Sequence, residues 1–252
     1  MRIDLMTLFP ELCEAVLSES IIGRARRAGL VDIHCVNIRD YSTDKHRHVD
    51  DYTYGGGAGM ILQPGPIYDC YAALCAETEA RPHCVYLSPQ GRVFDQNCAK
   101  RLSQLSHIAF LCGHYEGVDE RVIEEIVDEE ISIGDFVLTG GELPALTVVD
   151  AVARLLPGVL AGEECYTGES HYSGVLEYPQ YTRPPEFHGR AVPEVLLSGH
   201  AANIEKWRRR QSLKRTLERR PDMLPRAEFS HADLKMLGDL CSSYDCDCLE
   251  KK

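Results

Sequence analysis

The amino-acid sequence predicts an α/β domain built on a largely parallel sheet, followed by a small all-helical module. Two observations lead to this prediction. Along the first 160 residues, short apolar runs alternate with segments of helical spacing, the pattern of successive βαβ units. Near the end of the chain this alternation gives way to one long segment of helical composition.

The alternation can be followed element by element. Short apolar and β-branched runs predict strands at residues 2–9, 31–41, 83–89, 107–113 and 131–138. The intervening segments predict helices at 10–30, 63–80, 95–105 and 118–127, with a further helix at 147–160. In the first helix, Pro10 marks the start, Leu12, Val16 and Ile21 have helical spacing, and Gly29 marks the end.

The composition is that of an ordinary globular protein. The chain has 252 residues and a net charge of -12, which is ample length for a buried core. It shows no basic-then-apolar leader and no apolar run near ~20 residues, so we expect a cytoplasmic protein with no membrane partner. The eleven cysteines are dispersed among predicted strands and helices. We expect them to be reduced core residues, and their spacing does not match a structural zinc site.

Two glycine-rich turns, GHYEG at 113–117 and TGGE at 139–142, each follow an apolar run. Turns at the ends of parallel strands form the crevice in which ligands bind. Neither the phosphate-binding nor the dinucleotide-binding glycine pattern occurs in the chain. Between residues 113 and 150, eleven Asp or Glu accompany one basic residue, Arg121, which favours a neutral or cationic ligand over a polyphosphate. Glycines that only end strands, with acids coating an exposed helix, are the open alternative.

Two segments have the charge expected for contact with nucleic acid. The loop DKHRHVDDYTYGGGAGM at 44–60 has too many glycines for a helix or a central strand. The helix EKWRRRQSLKRTLERR at 205–220 carries eight Lys or Arg against two Glu. Solvated charges are the alternative for both segments. The expected RNA contacts in these two segments are Lys45, His46, Arg47, Arg208, Arg209, Lys214 and Arg215, and Arg183 is a further expected contact outside them.

A buried arginine and a long irregular stretch lie between these regions. Arg154 falls among the apolar residues of the helix at 147–160, so it needs a carboxylate partner or holds a substrate oxygen. Pro157 should end that helix. The next thirty or so residues have little periodicity, which is typical of a linker or a functional lid.

Several of these motifs together resemble the bacterial tRNA (guanine-N1)-methyltransferase family, knotted enzymes of the SPOUT class. The resemblance is carried by DKHRHVDDYTYGGGAGM, HYEGVDERV, SIGDFVLTGGELP, PGVL, EYPQYTRPPE and VPEVLLSGHAANIEKWRRRQSLKRT, and it covers nearly the whole chain. Thr53 and Ala58 stand where prolines are common in the family, so this loop is expected to be less stiff. Glu169 stands where the family commonly has aspartate.

The resemblance implies a fold, an organisation and a reaction. Its fold is a SPOUT-type parallel sheet with a trefoil knot. The chain would comprise an S-adenosylmethionine-binding domain at 1–160, a flexible lid at 161–176 and a helical tRNA-binding domain at 177–252. The family methylates N1 of guanosine 37 of tRNA, beside the anticodon, and works as a homodimer with both subunits at each active site. It has also been associated with Mg²⁺, and the sequence leaves that requirement open.

The resemblance also implies site residues. Glu169 is the expected general base and Arg154 the group that stabilises O6 of the guanine. The positions that match the family's cofactor site are Tyr86, Leu87, Pro89, Gly113, Glu116, Ile133, Gly134, Leu138, Gly140, Gly141 and Pro144. Two rival functions stay open on sequence alone: a SPOUT enzyme that methylates a ribose 2′-hydroxyl, and a non-catalytic RNA-binding protein.

Overall fold

The structure is a computed structural model that describes residues 1–57, 59–78 and 80–249. Ala58, one of the two departures from the family's loop, lies outside the described residues. The chain divides into two compact units, Met1–Glu163 and Glu164–Lys252. No helix in the described part of the chain is apolar over enough turns to cross a bilayer.

The first unit alternates strands and helices, as the sequence predicts. In chain order its elements are β1 (Arg2–Thr7), α1 (Pro10–Leu17), α2 (Ser20–Arg27), β2 (Asp32–Asn37), a 3-10 helix (Ile38–Tyr41), β3 (Asp50–Tyr52), β4 (Met60–Leu62), α3 (Pro64–Glu77), β5 (His83–Val93), α4 (Gln96–Leu102), β6 (His107–Cys112), α5 (Glu120–Ile126), β7 (Glu129–Ser132) and α6 (Glu142–Ala153).

The central sheet has five strands in the order β2-β1-β6-β5-β7, and every pairing between them is parallel. Helices cover both of its faces. Along the fully buried β6, Ile108 and Phe110 pack in the cluster with α1, α2, α4 and α6, whereas Ala109 and Leu111 pack in the cluster with α3 and α5. This two-residue alternation explains why the strand reads as a continuous apolar run. The predicted α/β fold with a parallel sheet is confirmed.

Several element boundaries differ from the prediction, beginning with the first helix. The segment 10–30 forms two helices, because Glu19 is extended and Ser20 is left-handed with φ 54°. Leu12 and Val16 are 47% and 53% exposed, and the buried face of α1 instead carries Cys13 and Leu17.

The loop at 44–60 contains a short antiparallel hairpin, in which β3 pairs with β4. Its glycines lie in the connecting turn, where Gly55 and Gly56 have positive φ. The prediction that this segment is only a loop was therefore wrong at residues 50–52 and at Met60. Glycines with positive φ favour the tight turn of a hairpin, and the residues on either side of that turn are able to pair.

The last strand and helix of the first unit are also displaced. β7 ends at Ser132, since the Ser132 hydroxyl bonds both the N–H and the C=O of Gly134 and turns the chain. Residues 133–138 are therefore not a strand. α6 begins at Glu142 rather than at 147, because Pro144 lies in the first turn, where no N–H donor is needed. It ends at Ala153, before Pro157.

The second unit is mainly helical. Its elements are α7 (Glu164–Thr167), β8 (Glu186–Phe187), β9 (Arg190–Ala191), α8 (Glu194–Leu197), α9 (Ala201–Arg219), a 3-10 helix (Pro221–Arg226) and α10 (His231–Leu249). Its core joins Val175 to Leu213 of α9 and Leu240 of α10. The hairpin of β8 and β9 corrects the prediction that this module is all-helical.

Candidate active site

A cavity of about 270 Å³ opens at the carboxyl ends of β6 and β7, beside residues 86–90 of β5. The carboxyl edge of a parallel sheet is where ligands bind in open α/β folds. The turns that follow β6 and β7 and the middle of β5 form its walls. The cavity is lined by ten residues of the predicted cofactor site, namely Tyr86, Leu87, Pro89, Gly113, Glu116, Ile133, Leu138, Gly140, Gly141 and Pro144. Gly134 is not among the lining residues.

The first wall is the turn at 113–117. Tyr115 and Gly117 both have positive φ, at 59° and 116°, and the Glu116 N–H donates to the Met60 carbonyl at 3.0 Å. Gly113 packs against Tyr86, since a Cβ at Gly113 would lie 2.9 Å from the Tyr86 hydroxyl oxygen. Burial raises the pKa of Tyr86 to about 12, so its hydroxyl remains protonated at neutral pH.

The second wall is the turn at 139–141, which lies directly against the first. The Gly141 N–H donates to the Gly113 carbonyl at 2.9 Å, and His114 forms a backbone bridge with Gly140. A Cβ on Gly141 would lie 2.7 Å from the Cys112 Cα and 2.9 Å from the Gly113 nitrogen. Only glycine allows the two turns to approach this closely.

The third wall comes from β5 and the segment after β7. The pairing of β5 with β7 is interrupted between Leu87 and Arg92, and the cavity lies against the residues inside this interruption. Four further lining residues, His114, Tyr115, Gly117 and Thr139, belong to the two glycine turns that the sequence had placed at a ligand crevice. Sequence reasoning missed the lining residues Ser88, Gln90, Ile131, Ser132, Phe136 and Val137. The Ser-Pro-Gln-Gly sequence after an apolar run was the available signal for Ser88 and Gln90. Because residues 131–138 were predicted as one strand, the lining residues Ile131, Ser132, Phe136 and Val137 were not recognised.

The lining is weakly charged. Among the described residues that form it, none is Lys or Arg and Glu116 is the single carboxylate. Apolar side chains, small polar side chains and the glycine backbone line it together. Such a cavity suits a flat, partly apolar ligand that is neutral or positively charged. In the described part of the chain, no group of three or more His, Cys, Asp or Glu is arranged to hold a metal ion.

Comparison with known proteins decides the family. The sequence profile of the family described as tRNA (Guanine-1)-methyltransferase TrmD matches residues 1–226. The chain belongs to this tRNA (guanine-N1)-methyltransferase family. The resemblance identified from the motifs is therefore confirmed.

Individual relatives match this chain over more than 90% of their own length. A tRNA (guanine-N(1)-)-methyltransferase of Ruminiclostridium cellulolyticum is 60% identical over 223 residues, which cover 88% of this chain and 96% of the relative. Proteins of the same name from Alkaliphilus oremlandii and Limosilactobacillus fermentum are 55% and 52% identical. The second of these matches covers 98% of this chain and 99% of the relative.

Arg154 and Glu169, the residues expected from the resemblance to act in catalysis, lie in different units, and each is described in its own unit. Arg154 directly follows α6 in the first unit, caps its last turn and is half-buried. Glu169 lies two residues after α7 in the second unit, where its N–H donates to the Tyr166 carbonyl at 3.2 Å. Both residues have interaction partners.

The predicted RNA contacts of the first unit lie before the β3–β4 hairpin. Lys45, His46 and Arg47 are exposed. The Asp44 carboxylate accepts the N–H of His46 at 2.7 Å, and Arg47 pairs with Asp40 at 2.8 Å.

The predicted RNA contacts of the second unit differ in their surroundings. Arg183 and Lys214 are exposed and Arg215 is half-buried. The Arg208 guanidinium lies over the Tyr178 ring, 5.0 Å from its centroid. Arg209 donates to both oxygens of Asp233 at 2.7 and 3.0 Å, which links α9 to α10. This pair gives Arg209 a structural role that its position in a basic segment did not indicate.

Proposed function

We propose that this chain transfers a methyl group from S-adenosylmethionine to N1 of guanosine 37 in tRNA. Its curated relatives are named tRNA (guanine-N(1)-)-methyltransferases. The observation that carries the proposal is the cavity formed by the glycine turns of a chain in this family. The methyl donor and the position within tRNA are our inferences from the family resemblance and from the chemistry of this cavity.

The lining of the cavity fits S-adenosylmethionine. Leu87, Ile133, Leu138 and Pro144 supply apolar surface for an adenine ring, and the glycine turns bring backbone polar groups close to the ligand. The Glu116 carboxylate suits a sulfonium cation. The bound donor would supply an electrophilic methyl group. The protein's contribution is to hold it with backbone and apolar contacts and to exclude bulk water.

The remaining chemistry belongs to the guanine. N1 of guanine carries a proton and becomes nucleophilic as that proton leaves, while negative charge moves to O6. We assign proton removal to the Glu169 carboxylate and stabilisation of O6 to the Arg154 guanidinium. A glutamate keeps the carboxylate of the family's usual aspartate and adds one methylene, so its backbone must sit slightly further from N1.

Recognition of tRNA would divide between the two units. In the first unit, Lys45, His46 and Arg47 are exposed beside the hairpin. In the second unit, α9 carries the basic block, with Lys214 exposed and Arg215 half-buried. Since the whole chain has a net charge of -12, these local cations must provide the attraction for phosphate. We therefore propose residues 177–252 as the principal tRNA-binding domain and 161–176 as the lid.

We further propose the SPOUT class with its trefoil knot, a homodimer and a cytoplasmic location. The first unit presents large apolar side chains on its surface at Phe9, Leu12, Val16 and Leu143, each between 42% and 54% exposed. All but Phe9 lie on α1 or α6, which pack against one another. Such exposed apolar side chains are typical of a surface that a partner covers. Sedimentation equilibrium of the purified protein tests the dimer directly.

Nucleoside mass spectrometry tests the reaction. A tRNA transcript with guanosines at positions 36 and 37 is incubated with the protein and S-adenosylmethionine, alongside a transcript altered at position 37. We expect 1-methylguanosine in the first transcript alone. A 2′-O-methylated nucleoside would indicate the ribose-methylating alternative. Binding of tRNA without any methylation would indicate a non-catalytic RNA-binding protein.

A further inference from the structure

A buried carboxylate stands behind the cavity without lining it. Glu142, the first residue of α6, is 2% exposed. Its Oε1 accepts the Thr7 hydroxyl proton at 2.7 Å, and its Oε2 lies 2.9 Å from Nε2 of His114. Burying a carboxylate costs free energy unless it is hydrogen-bonded. Here one oxygen bonds Thr7 at the end of β1, and the other bonds His114 in the turn after β6.

The direction of these hydrogen bonds is set by Thr7. Its hydroxyl oxygen accepts the Phe9 N–H at 2.9 Å, so its single proton is directed to Glu142. The Phe9 ring also lies against the His114 ring, with centroids 4.9 Å apart. Glu142 is thereby held in place from the end of β1, an interior strand that pairs with both β2 and β6.

The same carboxylate touches the glycine turn that lines the cavity. A Cβ on Gly140 would lie 2.6 Å from Glu142 Oε2 and would also overlap the His114 ring. His114 and Gly140 both line the cavity and share a backbone bridge. The Glu142–His114 pair therefore links the two turns through side chains. This link adds to the backbone hydrogen bond from the Gly141 N–H to the Gly113 carbonyl.

We propose that Glu142, held by Thr7, is a positioning residue that keeps the turns at 113–117 and 139–141 in the cofactor-binding arrangement through His114. This inference rests on the proposed function for the identity of the ligand. It predicts that the cavity is already shaped in the ligand-free protein. Loss of the Glu142 carboxylate should weaken cofactor binding more than it slows methyl transfer from the bound cofactor.

The chain offers a matched control for a purely structural role. Asp4 of β1 is also fully buried and also pairs with a histidine, His107, at the opposite end of β6. It additionally binds the Arg2 guanidinium. Substitution of Asp4 should destabilise the fold to a similar degree without altering the two turns.

The experiment compares E142Q, T7V, T7S and D4N with the unaltered chain. Titration calorimetry with S-adenosylhomocysteine is expected to show about tenfold weaker binding for E142Q, because hydrogen bonds to charged groups are among the stronger ones. T7V should weaken binding several-fold, whereas T7S, which keeps the hydroxyl, and D4N should stay within about twofold. KM for S-adenosylmethionine should rise in E142Q while kcat changes little.

Hydrogen exchange of the ligand-free proteins provides a second measurement. Amides at 113–117 and 139–141 should exchange faster in E142Q and T7V than in D4N. Equal exchange in all variants, or an unchanged dissociation constant in E142Q, would overturn the positioning role. If the unaltered protein fails to bind S-adenosylhomocysteine, the proposed function fails, and the exchange comparison still decides whether Glu142 orders the turns.

Discussion

Replacing Gly141 by alanine tests the geometry of the cavity most directly. The backbone at Gly141 has φ -81° and ψ -8°, a conformation that alanine adopts without strain. Any effect must therefore come from the added methyl group. That group would lie 2.7 Å from the Cys112 Cα, and both atoms that it meets first belong to the backbone.

The size of the effect follows from these distances. Ordinary van der Waals contact begins at 3.4 Å, so the turns must separate by at least 3.4 − 2.7 = 0.7 Å. This movement also strains the 2.9 Å bond from the Gly141 N–H to the Gly113 carbonyl. Overpacking of this kind costs about 1–3 kcal/mol. If about 2 kcal/mol of this is lost from cofactor binding, the dissociation constant rises roughly 30-fold.

Titration calorimetry with S-adenosylhomocysteine measures this change, and thermal unfolding reports the stability. Gly238→Ala in α10 is the matched control, because a Cβ there meets nothing within 4 Å. Alanine should stabilise that helix by up to about 1 kcal/mol and leave the binding unchanged. A folded Gly141→Ala protein that binds within twofold of the unaltered chain would refute the argument that the two turns need glycine to shape the cavity.

Three further predictions concern the catalytic base, the basic helix and the second unit. Glu169→Gln should lower methyl transfer by about 10²- to 10⁴-fold and leave S-adenosylhomocysteine binding nearly intact. Joint replacement of Lys214 and Arg215 by alanine should weaken tRNA binding and reduce the slope of log K against log salt by about one for each phosphate that the variant no longer binds. Arg209, with help from Ser230, lowers the pKa of Asp233 to about 2, so this pair stabilises the fold fully above pH ~4 and loses its contribution as the pH falls from there toward 2. Asp233→Asn should remove that part of the acid sensitivity in thermal unfolding.

Each of these predictions has a contradicting result. Equal loss of methyl transfer and cofactor binding in Glu169→Gln would exclude it as the base. Lys235→Ala on α10 is the control for the double alanine variant. If both variants keep the salt slope of the unaltered chain, α9 is not part of the tRNA-binding surface. An Asp233→Asn protein that keeps the acid sensitivity of the unaltered chain would show that other carboxylates cause it.

The interior strands β1 and β6 were predictable because they are buried on both faces. β6 was predicted within one residue, since no polar position interrupts its apolar run. The α1 face was not predictable from spacing. Leu12 and Val16 have the right period but are exposed, and the smaller Cys13 is buried. Periodicity identifies a helix, whereas the neighbours available to each face decide which residues are covered.

The candidate site shows the same division. The glycine turns at 113–117 and 139–141 could be found in the sequence, because glycine in such numbers is a local conformational signal. Their direct contact could not be found, since it joins residues far apart in the chain. The interruption of β5 and the early end of β7 were also hidden, because both depend on pairing between strands.

The amino-acid sequence alone was enough to predict the α/β class, the order of the main elements, the family and the charge of the segments expected to meet tRNA. These properties depend on local composition and on short motifs, which can be recognised from neighbouring residues alone. The folded chain was needed to reveal that Thr7, His114 and Glu142 meet behind the cavity and that Arg209 is held by Asp233. Hydrogen-bond partners are chosen by packing in three dimensions, and residues far apart in the chain carry no local sign of their contact.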